Sequence, residues 1–248
     1  MTKPTGFVIY QGPSLIDGAP IVAVALTGRS KNTKTGAMVQ TYILRADIHP
    51  IEAVKTGEDS SICGDCIHRG THGRERSCYV TLAHGPRSVF DKFKRGGYPL
   101  ATKKTARRAL GAGRDVRLGT YGDPAAVPAS VWEALVEHAT SHTGYTHQAF
   151  NARLSVTQRE RIAWLCMVSA DTETDAAAAN ALGYRTFRVA TDSIKRPGES
   201  VCPASAEAGK KLTCATCGAC NGRSGNLKGS IVIQAHGTGA KHARARAT

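Results

Sequence analysis

Seven of the eight cysteines in this chain fall into two short stretches, and that clustering constrains the fold more than any other feature. One stretch reads Cys63-x2-Cys66-x11-Cys78, with His68 and His72 between. The other reads Cys214-x2-Cys217-x2-Cys220 and is preceded by Cys202-Pro203. In a reducing compartment, thiols gathered this closely point to metal rather than to disulfides. A secreted chain would use the even count for bridges, but no signal-peptide core follows Met1-Thr-Lys-Pro-Thr-Gly6.

The C-terminal stretch carries the stronger signal. Three cysteines two residues apart, plus a separate Cys-Pro, use the ligand vocabulary of ferredoxin-type clusters. A tight loop aims three sulfurs at three corners of a cubane, and the small residues Ala215, Gly218 and Ala219 let backbone N–H groups approach the sulfides. Cys202, Cys214, Cys217 and Cys220 are read as metal ligands of a 4Fe–4S cluster, with a four-cysteine zinc site as the alternative. For Cys63, Cys66 and Cys78 two metal readings stand: a zinc site completed by a histidine, or a cluster with one iron open to a cofactor or substrate. Cys78, beside Tyr79 and Val80, also suits a packed core thiol. Residues 57–85 hold too few apolar side chains to order themselves by burial, so bound metal is expected to order them. Cys166 lies in the apolar run Ile162-Ala-Trp-Leu-Cys-Met-Val168 and reads as a buried, inert side chain.

The rest of the pattern predicts an α/β fold. The β-rich runs from Ile21 and Met38 flank a turn-like segment and predict a hairpin over residues 20–45. A short helix is expected near Ile51–Val54. Helices are also expected over Pro86–Arg95, over Thr102–Leu110, after Pro128, and after the capping box of Thr172 and Asp175. Strands are expected at Val116–Tyr121, Tyr145–Gln148, Ile162–Val168, Arg185–Val189 and Ser230–Gln234. This alternation implies parallel βα units, too few for a complete eight-stranded barrel. The predicted architecture is a partial, open βα barrel with parallel strands, an N-terminal β-hairpin and cysteine-rich metal-binding loops. Its regions are a hairpin over 1–56, the cysteine-rich barrel over 57–236 and a basic mobile tail over 237–248.

In such folds functional groups gather at the carboxyl ends of the strands, which singles out Asp123, His147, Gln148, Asp171 and Asp192. Asp123 and His147 are the catalytic candidates. A helix cap for Asp123 and a hydrogen-bonded structural role for His147 and His142 are the plainer readings.

The chain has 248 residues and a formal net charge of +14, which favours a polyanionic partner. Lys103, Lys104, Arg107 and Arg108, within a basic stretch from Lys92 to Arg117, are the candidate nucleic-acid contacts. Aromatic residues make up only 6% of the chain, which argues against extensive base stacking. The sequence has no GxxxxGK[ST] loop, no His-x-Glu deaminase signature and no Gly-x-Ser-x-Gly elbow. No apolar run reaches the ~18 residues that span a bilayer, so a cytoplasmic protein without a membrane partner is expected.

Several strings read together as a family signature: Cys63-Gly-Asp-Cys-Ile-His-Arg69, Ser77-Cys-Tyr-Val80, Arg117-Leu-Gly-Thr-Tyr-Gly-Asp-Pro-Ala-Ala-Val-Pro128, Thr143-Gly-Tyr-Thr-His-Gln148, Tyr184-Arg-Thr-Phe-Arg-Val189, and Cys202-Pro-Ala-Ser205 with the cysteine triplet. Over roughly residues 60–222 the chain resembles a cysteine-rich family from bacteriophages and their bacterial hosts, itself similar to a shortened radical S-adenosylmethionine (SAM) enzyme. The resemblance implies a partial βα barrel with a cluster at its mouth, held by Cys63, Cys66 and Cys78, with SAM on the open iron. The spacing departs from the usual Cys-x3-Cys-x2-Cys, and Gly96-Gly97-Tyr98-Pro99 is only faintly like a SAM-binding Gly-Gly-Glu motif. Two functions follow as expectations. One is an iron–sulfur enzyme modifying nucleic acid or nucleotides in phage metabolism, in the host cytoplasm. The other is a non-catalytic nucleic-acid-binding protein whose metal, zinc or iron–sulfur, holds the fold.

Overall fold

A computed structural model describes residues 3–30, 34–70, 75–191, 194–225, 229–236 and 240–244. Ten strands form two five-stranded sheets. The first contains β1 (Gly6–Pro13), β2 (Pro20–Leu26), β3 (Val39–Arg45), β4 (Asp115–Tyr121) and β5 (Ser141–Thr143), in that order. The second contains β6 (Tyr145–Thr146), β7 (Met167–Ala170), β8 (Thr186–Ala190), β9 (Glu199–Val201) and β10 (Ser230–Gln234), in the order β6-β7-β8-β10-β9. The β1–β2 and β2–β3 pairs are antiparallel, and every later pairing is parallel.

Only Gly144 separates β5 from β6, so one extended segment hands its pairing from β4 in the first sheet to β7 in the second. The Gly144 carbonyl accepts from Met167 N at 3.0 Å, and its N–H donates to Cys220 O at 2.9 Å. A Cβ here would lie 2.6 Å from Cys166 Sγ and 3.1 Å from Leu118 Cβ, so only glycine lets the sheets meet this closely.

Nine helices are present among the described residues: α1 (Pro50–Thr56), α2 (Ser60–Cys63), α3 (Gly85–Lys94), α4 (Lys104–Gly111), α5 (Ala129–Val136), α6 (Val156–Leu165), α7 (Glu173–Ala181), α8 (Cys214–Cys217) and α9 (Ala240–Arg244). The main core joins Ile21, Val24, Ile43, Val116 and Leu118 of the first sheet to Trp132 and Leu135 of α5 and Ile162 and Leu165 of α6. A smaller apolar cluster lies on the second sheet, where Met167, Ile231 and Ile233 pack with Cys202 and Cys220. Among the described residues, no helix is long and apolar enough to cross a membrane.

The mixed α/β class, the hairpin and the capping box of Thr172 and Asp175 agree with the sequence. The strands past the hairpin pair in parallel as expected, and among the described residues β1 and β5 end the first sheet and β6 and β9 the second. Three strands, β1, β5 and β9, go unread in the sequence.

The apolar run at residues 162–168 is a correction. Its first half is the end of α6, started by the Ser155 side chain accepting from Gln158 N, and only Met167 and Val168 belong to a strand. Trp164 decides it: 50% exposed, it points off the buried face that Ile162, Ala163 and Leu165 share, as helical spacing dictates. Cys166 is buried as expected, but at the helix-to-strand junction.

The C-terminal segment carries one more element. Residues 240–244 form α9, and His242 pairs with Glu75 of the cysteine-rich loop. Residues 237–239 and 245–248, like His72 and Asp192, lie outside the described residues.

Candidate functional site

The chain from Gly57 to Gly70 is ordered by polar contacts. Arg69 is buried; its guanidinium donates to Asp59 Oδ1 at 2.7 and 3.1 Å, to Gly57 O at 2.7 Å and to Gly64 O at 3.0 Å. Gln148 secures the same turn from β6: its Nε2 donates to Cys63 O at 3.0 Å. Gly64 permits that approach, because its φ is +55° and any Cβ would overlap the Gln148 amide. Beside any metal expected to order this loop, the protein supplies order of its own. A buried ion pair and a side-chain amide supply hydrogen bonds that burial of apolar groups could not.

Cys63, Cys66 and Cys78 come out of this turn and the following segment onto one cavity of about 360 Å³. Burial pushes the Cys63 thiol well above its ordinary pKa, and the nearby Cys66, Asp59, Cys78 and Asp123 raise it further. Burial also raises Cys78, with Cys66 again among its neighbours. The three thiols are thus within electrostatic reach of one another.

Asp123, His147 and Asp171 follow the carboxyl ends of β4, β6 and β7. The Asp123 carboxylate accepts from Ala125 N at 2.9 Å, Thr146 Oγ1 at 2.8 Å and His147 N at 2.7 Å. It caps a short 3-10 turn, Pro124–Ala126, and holds the His147 backbone, with burial raising its pKa against these hydrogen bonds. The capping reading describes its geometry, and its link to the site runs through His147.

His147 Nε2 lies 3.9 Å from Cys66 Sγ and 3.5 Å from Asp171 Oδ2. Burial alone would lower the His147 pKa, but Cys66 and Asp171 outweigh it and hold the imidazole well above its ordinary value. Asp171 also meets His68 Nε2 at 2.9 Å, while His68 Nδ1 bonds Ser77 Oγ at 2.8 Å. Burial would raise Asp171, yet the two histidines hold it far below the usual carboxylate range.

His68, His147 and Asp171 place their ligand atoms within 4.8 Å of one another, compact enough to share one ion, and no other such trio occurs among the described residues. No three cysteine sulfurs approach that closely. Pairing of His68 with Asp171 was not legible in sequence, where the two stand 103 positions apart.

Two of the C-terminal cysteines, Cys202 and Cys214, reach the same cavity. Cys202 follows β9, Cys214 and Cys217 bound α8, and Cys220 precedes the turn that Arg185 clamps. Arg185 donates to Ala219 O, Asn221 Oδ1, Gly222 O and Gly229 O at 2.7–3.1 Å. Burial raises Cys202, with Cys214 and Cys217 adding to it. Burial likewise pushes Cys220 up to about 12, with Cys202, Cys214 and Cys217 adding to it against the Tyr145 hydrogen bond. All four are therefore neighbours, and Cys202 and Cys214 line the same cavity as the first set.

The basic candidates fare differently. Arg107 Nε donates to Ile9 O at 2.9 Å, and Arg108 forms a bidentate pair with Glu137, which Lys104 also approaches at 4.0 Å. Lys103 is the residue before α4. These contacts tie α4 to β1 and to Glu137, the residue after α5. Gly96-Gly97-Tyr98-Pro99 ends α3 and lies along β1, where Pro99 O accepts from Val8 N at 3.0 Å, away from the cavity. His142 bonds Leu165 O at 3.1 Å, a structural role. No family model, curated protein or solved structure matches the chain.

Proposed function

We propose that the protein is an iron–sulfur enzyme acting on a small, nucleotide-sized substrate in the cavity between two cysteine-held centres. The observation that carries this reading is that both cysteine sets open onto one cavity at the carboxyl ends of the parallel strands, beside His147 and Asp171. Ligand cavities are commonly about 300–1,000 Å³, and this one falls inside that range. Its walls enclose a small molecule more readily than a polymer, which favours a nucleotide over a long nucleic acid.

Cys63, Cys66 and Cys78 would hold a 4Fe–4S cluster, with SAM as the cofactor expected on its open iron. Cys202, Cys214, Cys217 and Cys220 would hold a second, fully ligated centre. The donor chemistry fits: thiolates suit iron–sulfur clusters. A bound cluster supplies one-electron chemistry. The chain's own residues do the rest. Asp123 fixes the His147 backbone, and Asp171 orients both imidazoles. His147 holds a proton beside Cys66, available for transfer at Nε2.

The test is anaerobic purification with iron, sulfide and zinc analysis and a visible spectrum. The expected result is about four irons per cysteine set, one set lost in Cys63→Ala and the other in Cys214→Ala, with SAM cleavage lost only in the first. Zinc in both sites with no SAM cleavage would overturn the enzyme and leave the metal-stabilised, non-catalytic protein.

A further inference from the structure

Arg117 lies on β4 and lines the cavity, only 8% exposed. Its Nη2 donates to Tyr79 Oη at 2.8 Å, and its guanidinium carbon lies 5.5 Å from the Tyr145 ring centroid. No carboxylate pairs with it among the described residues. The two carboxylates of the lining are committed elsewhere, Asp59 to Arg69 and Asp123 to Ala125, Thr146 and His147. A buried charge without a counter-ion costs several kcal/mol, so an unpaired cavity arginine calls for an anion.

Three hydroxyls of the same lining point the same way. Thr35 Oγ1, Thr120 Oγ1 and Tyr121 Oη are buried and have no hydrogen-bond partner. Thr35 and Tyr121 are each 3% exposed. Native proteins leave few buried polar atoms unsatisfied, and three in one cavity mark partners that a ligand supplies. The remaining wall is apolar, formed by Phe187, Val189 and Ile233.

We propose that the cavity binds a small organic anion, with its carboxylate or phosphate on the Arg117 guanidinium and its neutral polar atoms on Thr35, Thr120 and Tyr121. The planar fork of arginine suits either oxyanion in a bidentate pair. Cys63 and Cys78 of one set and Cys202 and Cys214 of the other line the same cavity as Arg117 and Tyr121. The inference rests on the cavity being the substrate site, but not on the identity of the metal.

The experiment is calorimetric titration of the full-length protein, purified without oxygen, with inorganic phosphate and separately with acetate at constant ionic strength. Wild type, Arg117→Ala and Arg117→Lys are compared, and iron, zinc and SAM cleavage are measured on the same preparations. One of the two anions is expected to bind saturably, and which one identifies the head group. Arg117→Ala should weaken that binding by at least about 10-fold, and Arg117→Lys, which keeps the charge but loses the fork, by less. If Arg117→Ala does not fold, the lysine variant alone decides, since wild-type affinity there would refute the bidentate contact. The proposal is overturned if neither anion binds wild type, or if both variants bind as wild type does. It is overturned too if the variants lose metal from the Cys214 set with anion binding unchanged, because Arg117 would then be the counter-charge of that centre. Anion binding by wild-type protein that holds no iron would uphold this site while removing the iron–sulfur enzyme.

Discussion

The two cysteine regions are each organised around one buried arginine, but in opposite ways. In the first, Arg69 belongs to the loop itself and neutralises a carboxylate, Asp59, ten residues away in the same loop. In the second, Arg185 stands just before β8 and reaches out to the loop's carbonyls and the Asn221 amide, with no carboxylate among those partners. The first region carries its own organiser, whereas the second is gripped by the scaffold. A cysteine-rich loop can thus be shaped either by internal pairing or by an outside clamp, and the two should fail differently.

The largest effect is expected from Arg69→Ala. It leaves Asp59 buried and unpaired, at a cost of about 3–5 kcal/mol. Chemical denaturation should register this, with fast hydrogen exchange through residues 57–70. A loss below about 1 kcal/mol would mean that the first loop is not self-organised. Arg185→Ala removes donors but strands no anion, so about 2–3 kcal/mol is expected. Metal should then be lost from the Cys214 set and kept by the Cys63 set; loss from both would erase the distinction drawn between them.

Acid provides a third separation. Glu199 of β9, the strand that delivers Cys202, forms a buried bidentate pair with Arg188, at 2.8 Å on both arms. The Arg188 hydrogen bonds hold Glu199 below its ordinary value of 4.5. A carboxylate depressed in the folded state stabilises fully above that value, and its contribution fades as the pH falls through and below it. Protease cleavage near residues 199–202 should therefore rise on acidification, and Glu199→Gln should show the same cleavage already at neutral pH. Flat cleavage between pH 7 and about 3.5 would remove this anchor from the account. The smallest effect is Thr213→Ala, which deletes half of the capping box with Thr216 and should cost about 1 kcal/mol, confined to α8.

The sequence made the hairpin, the βα alternation and both cysteine groups legible, because apolar periodicity, capping residues and thiol spacing are local signals. It misassigned residues 162–168, since a short apolar run reads alike as a buried strand or as a helix end until packing exposes one side of it, here Trp164. The organisers of the site were hidden for a different reason. Arg69, Arg117, Arg185 and Arg188 add to the net charge of +14 like any surface residue, yet all four are buried. The charge that suggested a polyanion partner is partly interior charge. Nothing local distinguishes an arginine that meets a phosphate from one that meets its own backbone, and the joining of His68 to Asp171 exists only once the strands are assembled.

Gly144 gives the molecule a single-residue gauge. Cysteines of both sets line one cavity, and the two sheets meet where this peptide touches Cys166, Leu118, Met167 and Cys220. The separation of the two sheets is therefore set by an absent methyl group. Restoring that group would act as a wedge between the sheets without altering any residue that lines the cavity, so that geometry and chemistry can be varied independently.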